Sequence, residues 1–295
     1  ALQRQFEDAL RTPDRFIKGP ILEATPPFET GRTIKQLVQV GVLSQQFLNL
    51  HTSKLPPDRP LYLHQEVAVR KLVRHKRNIV VATGTGSGKT ETFLIPVLPH
   101  LFEQKANGQL SPGVRALLLY PMNALANDQM ARMRDLLGNY SHVTFGRYTG
   151  ETLQEERKAI EQYRKVFERE PYPNELLSRE RMRETPPHIL LTNYAMLEYL
   201  LLRPDDHVFF DGEHAGNWKF IIIDEVHTYA GAKGIEMAML LRRLKDRVVH
   251  GQQGVLQCIA TSATLGQGEK DFPDVARFAA QLFGERVEWR SDDPV

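Results

Sequence analysis

The sequence predicts an open α/β fold of three layers, in which helices cover both faces of a mainly parallel sheet. From residue 61 onward, short runs of β-branched and aliphatic residues alternate with longer helical stretches, as in a parallel sheet with helical crossovers. These runs are apolar on both faces, which is typical of strands buried between two helical layers. They lie at residues 78–82, 114–120, 143–148, 188–191, 219–223 and 255–260.

Length and composition are those of an ordinary globular protein that can bury a core. The chain has 295 residues, of which 41% are hydrophobic and 25% charged, and its formal net charge is +2. The length predicts one or two domains. This charge balance excludes a histone-like, polybasic protein, but it allows a local basic surface that binds nucleic acid.

Cysteine usage and hydropathy indicate the compartment. The single cysteine, Cys258, excludes an internal disulfide and a cysteine-rich zinc module within this chain. No apolar run approaches the ~20 residues of a membrane span, and the N-terminus has no signal-peptide core. We therefore expect a cytoplasmic protein that does not act at a membrane. The first residue is Ala1 rather than Met, which indicates a processed chain or a fragment.

The chain divides into an N-terminal helical extension at 1–60 and an α/β domain at 61–295. Prolines break the extension, and its pattern predicts one amphipathic helix over 33–50 with Gly41 as an interruption. Residues 151–184 hold nine acidic and eight basic residues. This composition favours two solvated helices inserted between strands over a dedicated binding arm.

The segment at 78–92, NIVVATGTGSGKTET, runs from a strand through a glycine-rich loop into a helix. Its glycines allow successive backbone N–H groups to point at an anion, and the helix adds the positive end of its dipole. Lys89 is suited to hold the β- and γ-phosphates, and the Thr90 hydroxyl to bind Mg²⁺. The match to GxxxxGK[ST] is imperfect, because Thr83 stands in place of the first glycine.

A second strand, KFIIIDEVH, delivers two carboxylates at the end where open α/β sheets bind ligands. Asp224 is suited to orient Mg²⁺ and Glu225 to polarise the water that attacks the γ-phosphate. His227 is placed to report the nucleotide state to neighbouring strands. The next strand ends in TSAT at 261–264, where Ser262 and Thr264 supply hydroxyls for coupling.

In this order, ATGTGSGKT, DEVH and TSAT resemble motifs I, II and III of superfamily 2 DEAD/DEAH-box helicases. The resemblance implies a RecA-like domain, with ATP and Mg²⁺ as cofactors and an ATP-dependent helicase activity. The LYLHQ segment at 61–65 resembles the Q motif, in which Gln65 reads the adenine edge and Tyr62 packs near it. The nucleotide contacts implied are Tyr62, Gln65, Thr85, Gly86, Ser87, Gly88, Lys89, Thr90 and Glu91, with Thr90 and Asp224 on the metal and Lys89, Asp224, Glu225 and His227 in the chemistry.

Three further segments resemble the strand-binding motifs Ia, Ib and Ic: YPMNALANDQ, GRYTGET and LTNYAMLEYL. They imply nucleic-acid contacts from Asn123, Thr149, Gly150, Thr192 and Asn193. Taken singly, such residues are more typical of helix caps and turns. The sequence LTNYAMLEYLLLRP is similar to that of the large bacterial DEAH-type DNA helicases related to the mitomycin repair factor. Some of these helicases belong to anti-phage systems such as DISARM and Druantia.

The chain beyond the TSAT segment is short. Only about thirty residues come after it, so the second RecA-like domain and its arginine finger are expected on a longer protein or on a separate chain. Expected partners are DNA, that second domain and other subunits of a defence system. Two alternatives stay open: an RNA helicase, because phosphate contacts do not separate RNA from DNA, and a nucleotide-gated clamp or scaffold that does not unwind.

Overall fold

The computed structural model describes residues 4–7, 28–49, 52, 55–84, 86–138, 140–265 and 268–290. Its main sheet has seven strands, all parallel, in the order β3-β9-β8-β4-β7-β5-β6. The strands are β3 (Ile79–Ala82), β4 (Ala116–Tyr120), β5 (Phe145–Arg147), β6 (Glu175–Leu176), β7 (Ile189–Asn193), β8 (Phe220–Ile223) and β9 (Gln257–Ser262). Each predicted apolar run overlaps one of these strands.

Helices cover both faces of this sheet, so the predicted three-layer α/β fold is confirmed. They are α1 (Ile34–Gln39), α2 (Leu63–Val73), α3 (Lys89–Ala106), α4 (Asn123–Leu137), α5 (Glu156–Phe167), α6 (Arg179–Glu184), α7 (Tyr194–Leu202), α8 (Ala232–Val249) and α9 (Phe272–Phe283). One apolar cluster joins α3 and α4 to one face of the sheet, and a second joins α7, α8 and α9 to the other. Strand β8 is buried along its whole length because its side chains enter both clusters.

The prediction of one helix over 33–50 is wrong, because Gly41 ends the regular structure. Helix α1 begins at a Thr33 cap and stops at Gln39. Gly41 then takes a φ of +67°, a conformation that lets Val42 and Leu43 donate back to the Leu37 carbonyl. A separate 3₁₀ turn follows at Gln45–Asn49, and residue 50 lies outside the described part.

The described part of the extension packs on the α/β domain. Strand β1 (Thr30–Thr33) pairs antiparallel with β2 (Pro60–Tyr62) in a two-stranded sheet. The Phe47 and Phe102 rings, on the 3₁₀ turn and on α3, meet edge-on at 5.3 Å. Both side chains belong to the same buried cluster, so this segment contributes to the domain's core.

The charged segment at 151–184 contains the two predicted helices, α5 and α6, and also a strand that the prediction missed. Strand β6 lies between them and pairs in parallel with β5 at the edge of the sheet. Asn174, Glu175 and Ser178 around it are buried. A solvated face therefore describes the outer side of α5 but not this anchored strand.

No helix in the described ranges is both long and apolar enough to cross a membrane.

Candidate nucleotide and nucleic-acid site

The parallel register brings three of the predicted motifs to one edge of the sheet. Ala82 is opposite Ser262, and Ile223 is opposite Ala260. The chain leaving β3, β8 and β9 therefore emerges side by side at the carboxyl ends of the strands, where open α/β sheets bind ligands. The Thr83 N–H donates to the Ser262 carbonyl at 3.1 Å and joins two of these loops.

The glycine-rich loop has the open, left-handed shape that a phosphate cradle needs. Gly86 and Gly88 have φ values of +76° and +70°, which favour glycine. A Cβ at Gly86 meets nothing within 4 Å, whereas one at Gly88 comes within 2.3 Å of Gln65 Nε2. Thr83 Oγ1 and Ser87 Oγ hydrogen-bond at 2.7 Å across the loop base, so Thr83 contributes a hydroxyl where the usual motif has glycine. Thr85 lies outside the described residues.

Lys89 and Glu225 meet at the centre of the site. Lys89 Nζ lies 3.5 Å from Glu225 Oε1 and 3.4 Å from the Thr83 carbonyl. The Lys89 side chain is 11% exposed and that of Glu225 is 22% exposed, so both are largely shielded from water. The ammonium and the carboxylate neutralise each other here, where the phosphates of a nucleotide would compete for Lys89.

Asp224 is held at the end of β8 by a hydroxyl from the neighbouring strand. Thr261 Oγ1 donates to Asp224 Oδ1, and the same oxygen accepts from the Glu225 N–H at 3.1 Å. Burial, opposed by the Thr261 hydrogen bond and reinforced by the nearby Glu225 charge, raises the pKa of Asp224 above its ordinary value. A cation at this carboxylate would relieve that penalty.

Glu225 has a strained backbone conformation at a place in the chain where no helix ends. Its φ is +50°, a conformation that costs a non-glycine residue roughly 1–2 kcal/mol. The positive φ values of Glu168 and His250 occur at helix C-caps, whereas Glu225 sits directly between β8 and a 3₁₀ turn. Such outliers cluster at functional sites.

His227 connects the acidic segment to the next strand. Its Nδ1 lies 2.9 Å from Ser262 Oγ and 3.4 Å from Glu225 Oε2. Ser262 Oγ also accepts from the N–H groups of Thr264 and Leu265, each at 3.2 Å. Ser262 thus links His227 to the segment after β9, while Thr264 is exposed and enters this network through its backbone.

Thr90 and Glu91 occupy the first turn of α3. Thr90 is 5% exposed, and its hydroxyl accepts from Gln129 Nε2 at 3.1 Å. Glu91 faces Arg132 at 3.6 Å. The Thr90 hydroxyl and the Asp224 carboxylate are hard oxygen donors of the kind that Mg²⁺ prefers, and the open glycine loop beside them admits phosphates. These residues fit a nucleotide with magnesium.

The Gln65 segment is tied to the phosphate loop. Gln65 is 3% exposed; its Oε1 accepts from the Tyr62 N–H at 2.9 Å and its Nε2 donates to the Gly88 carbonyl at 3.0 Å. His64 Nε2 lies 2.9 Å from the Ser87 carbonyl, and burial lowers the pKa of His64. The Tyr62 and His64 rings stack at 5.7 Å. The oxygen and the nitrogen of the Gln65 amide are both engaged within the protein, so its contact with adenine stays a prediction.

Asn123 and Asn193 meet on the part of the same edge that follows β4 and β7. Asn193 Nδ2 donates to Asn123 Oδ1 at 2.9 Å, and Asn193 Oδ1 caps α7 by accepting from the Met196 N–H at 2.8 Å. Asn123 Nδ2 donates to Glu151 Oε1 at 3.1 Å. Asn193 is thus a helix cap and also forms a half-buried polar row with Asn123.

Thr149 and Thr192 lie behind that row, since both are fully buried. Thr192 Oγ1 donates to the Tyr148 carbonyl at 2.6 Å and joins the ends of β5 and β7. Gly150 is exposed, and a Cβ there meets nothing within 4 Å. Among these five predicted contacts, Gly150 is exposed, Asn123 and Asn193 are half-buried and hydrogen-bonded within the protein, and the hydroxyl of Thr192 supports the loop. Their contacts with nucleic acid stay predictions.

Sequence reasoning missed Thr261 and Gln129. Thr261 is the first residue of TSAT, and Gln129 closes the YPMNALANDQ segment. A hydroxyl and an amide within recognised motifs were the available signal. Their partners, Asp224 and Thr90, are far away in the chain, so only the folded sheet reveals the contacts.

Residues 62–272 match the DEAD/DEAH box helicase family. The chain belongs to this family. The helicase resemblance and its implied first RecA-like domain are thereby confirmed, and relatives of the chain carry the name ATP-dependent helicase.

Similar proteins include the Druantia protein DruE and several helicases. The chain is 30% identical to the Druantia protein DruE of Escherichia coli (strain UMEA 4076-1), over 93% of this chain and 19% of DruE. It is 30% identical to the ATP-dependent helicase Lhr-Core of Methanothermobacter thermautotrophicus, over 70% of this chain and 21% of that protein. The crystal structure of the DUF1998 helicase MrfA bound to DNA and AMPPNP matches the whole chain with 25% identity and a TM-score of 0.63. The chain spans about a fifth of the curated relatives and 34% of MrfA.

Proposed function

We propose that this domain is the ATP-binding half of a motor that moves along DNA or unwinds it. The observation that carries the proposal is the convergence of Lys89, Asp224 and Glu225 at one edge of the sheet, beside the polar row of Asn123 and Asn193. MrfA, part of which matches this whole chain, has been crystallised with DNA and AMPPNP. This supports DNA rather than RNA as the nucleic acid.

The nucleotide chemistry follows from the positions of the side chains. The loop around Gly86 and Gly88 and the ammonium of Lys89 hold the phosphates. Thr90 and Asp224 would hold Mg²⁺, which would supply positive charge to the phosphate oxygens. Glu225 orients the attacking water and accepts its proton. Nucleotide binding would first exchange the contact of Lys89 with Glu225 for one with phosphate, which frees the carboxylate for this role.

A path of polar contacts is available to connect the nucleotide with movement. His227 Nδ1 hydrogen-bonds with Ser262 Oγ and lies 3.4 Å from Glu225 Oε2. Ser262 in turn organises the segment that follows β9. A change at Glu225 on hydrolysis therefore reaches the chain beyond the sheet through two hydrogen-bonding side chains, with Thr264 as part of the segment that moves.

Nucleic acid binds along the polar row of Asn123 and Asn193 and the adjoining Gly150, without base preference. Asn123, Gly150 and Asn193 present groups suited to phosphates, while Thr149 and Thr192 hold the loop behind them. The proposed partners are DNA, a second RecA-like domain that closes over the nucleotide and, by likeness to DruE, other subunits of an anti-phage system. A P-loop site without its arginine finger loses roughly 10³–10⁵ in rate, so we expect the isolated domain to hydrolyse ATP slowly.

Lys89→Ala in the complete protein tests the proposal. ATP turnover and DNA strand separation should both be lost, because backbone amides alone do not offset the charge of two phosphates. Lys105→Ala is the matched control, since Lys105 is an exposed residue at the other end of α3. Turnover of the Lys89→Ala protein within about twofold of the control would refute the phosphate site; mutational loss of a strong charged contact is expected to exceed that.

The wild-type protein separates the proposal from its alternatives. ATP turnover stimulated by DNA, with strand separation or translocation, is the expected result. Turnover without any movement on DNA would indicate a nucleotide-gated clamp. Stimulation by RNA and not by DNA would indicate an RNA helicase.

A further inference from the structure

The edge of the sheet that carries the polar row extends one strand further than the sequence predicted. Strand β6 runs parallel to β5, with Gly146 opposite Leu176. The chain that leaves β6 therefore emerges at the same edge as the Tyr148–Gly150 loop, which leaves β5. Three residues after Leu176, this chain places Arg179 against that loop.

The Arg179 side chain holds the Tyr148–Gly150 loop by hydrogen bonds to the loop's backbone carbonyls. Its Nη2 donates to the carbonyls of Thr149 at 3.1 Å and Gly150 at 3.4 Å. The guanidinium lies 5.3 Å from the centre of the Tyr148 ring. The Arg179 N–H donates to the Leu153 carbonyl at 2.9 Å on the far side of the turn. Arg179 thus contacts the chain after β5 at Tyr148, at Thr149 and Gly150, and at Leu153.

Within the described residues, the loop is restrained mainly from its inner side. There, Thr152 Oγ1 accepts from the Thr149 N–H and donates to the Arg147 carbonyl. The Thr149 hydroxyl is buried and has no hydrogen-bond partner in the described part of the chain, and the surface outside Gly150 is open. Arg179 supplies the contacts to the Thr149 and Gly150 carbonyls that the side chains of the loop do not provide.

The segment that carries Arg179 is anchored by the residue just before β6 and by the first residue of that strand. Asn174 Nδ2 donates to the carbonyls of Leu137, Tyr140 and Val143, at 2.8 to 2.9 Å. The buried carboxylate of Glu175 accepts from Arg134 at 2.7 Å. Because these groups fix the backbone of β6, the position of Arg179 is set by the core.

The segment is anchored again after Arg179. Asp206 Oδ1 accepts from Arg183 Nε and from Tyr148 Oη, each at 2.7 Å. Tyr148 is therefore held by Asp206 at its hydroxyl and by Arg179 across its ring. The inserted segment and the loop form one rigid unit at this corner of the edge.

We propose that Arg179 is a positioning residue for nucleic-acid binding, which holds the Tyr148–Gly150 loop so that Gly150 stays in line with Asn123 and Asn193. This rests on the proposed function of that row. In this role Arg179 acts through two loop carbonyls and does not itself contact a phosphate. The charged insertion thus supports the DNA-binding edge.

Single-stranded DNA binding by the complete protein tests this role, with Arg181→Ala as the control. Arg181 lies on the same helix, is exposed and pairs with Glu184, so the control loses the same charge without touching the loop. Arg179→Ala should weaken binding on the order of fivefold relative to the control, the equivalent of one lost hydrogen bond. ATP turnover without DNA should match the control, and the dependence of affinity on salt should keep the wild-type slope.

Three results would overturn the proposal. Unchanged affinity would remove the positioning role, and a salt slope lowered by about 0.7 would show a direct phosphate contact instead. A large drop in melting temperature with normal affinity of the folded fraction would make Arg179 only structural. If Arg179→Ala does not fold, Arg179→Gln replaces it: since it keeps a donor for the carbonyls but loses the charge, it should bind DNA like the control, and a lowered salt slope in this variant would overturn the proposal. If the wild-type protein binds no DNA, the proposed function fails rather than this inference.

Discussion

Buried polar groups around the candidate nucleotide and nucleic-acid site are less fully hydrogen-bonded than Arg115 and His188 at the opposite end of the sheet. At the end where the strands begin, Arg115 is fully buried, and its guanidinium donates to Gln104 Oε1 at 2.9 Å and to the carbonyls of Ser111 and Gly113 at 2.5 and 2.7 Å. Burial lowers the pKa of Arg115 to about 10. Each donor nitrogen of this group has an acceptor, so Arg115 acts as a structural clamp.

His188 is satisfied in the same way at that end. Its Nδ1 accepts from the Thr144 N–H at 2.9 Å, and its Nε2 lies 3.2 Å from the Ser111 carbonyl. Burial, with the Arg115 charge nearby, lowers the pKa of His188 to about 4. The ring is therefore neutral near pH 7, with the proton on Nε2, and both nitrogens are used.

The carboxyl-terminal edge leaves several of its buried groups without hydrogen bonds. Within the described ranges, Glu225 Oε2, Gln129 Oε1 and the Thr149 hydroxyl are buried and make none. Glu225 also carries the positive φ. Buried polar atoms normally find partners, and natural proteins break such rules mainly at functional sites. Arg115 and His188 thus serve stability, whereas the candidate site at the other end keeps polar atoms without partners.

The largest expected effect is on folding, from Arg115→Met. The change removes the donors to the half-buried Gln104 and to the buried Gly113 carbonyl and leaves the Ser111 carbonyl with His188 alone, which should lower the free energy of unfolding by about 3 kcal/mol. Chemical denaturation measures it, and Arg277→Met, at an exposed residue on α9, serves as the control. ATP turnover per folded molecule should not change. A selective loss of turnover at normal stability would contradict the division between the two ends.

Glu225→Gln should have the opposite profile. The amide keeps the size of the side chain but removes the base, so turnover should fall by about 10²-fold or more. ATP affinity should be retained, and complexes with nucleic acid should become long-lived. Nucleotide binding and single-turnover hydrolysis in the complete protein separate the two quantities. Loss of ATP binding would instead show that Glu225 has a structural or metal-binding role.

The smallest expected effect separates the two roles of Asn193. Serine caps helices about as well as asparagine but lacks the amide that donates to Asn123. Asn193→Ser should therefore keep the melting temperature and weaken single-strand binding by about 1 kcal/mol for all base sequences. Asn193→Ala should lose the cap as well, at a further cost of about 1 kcal/mol of stability. Normal DNA binding by both variants, with a lower melting temperature for Asn193→Ala alone, would reduce Asn193 to a cap.

The sequence by itself determined the features that are written locally. The apolar runs specified the strands, because strands buried on both faces are near-continuous runs of apolar residues. The glycine loop with Lys89 and the Asp224–Glu225 pair predicted the candidate nucleotide site, because phosphate binding needs particular residues at close spacing.

Only the tertiary structure decided the remaining features, because each joins residues distant in the chain. Strand β6 is two residues long, which is too short for a periodic signal. It is held by Arg134 from helix α4. The Thr261 contact with Asp224 depends on the order of strands in the sheet. The grip of Arg179 on the Thr149–Gly150 backbone depends on β6 lying beside β5. Local pattern records which groups are present, whereas the packing of the sheet sets which of them meet.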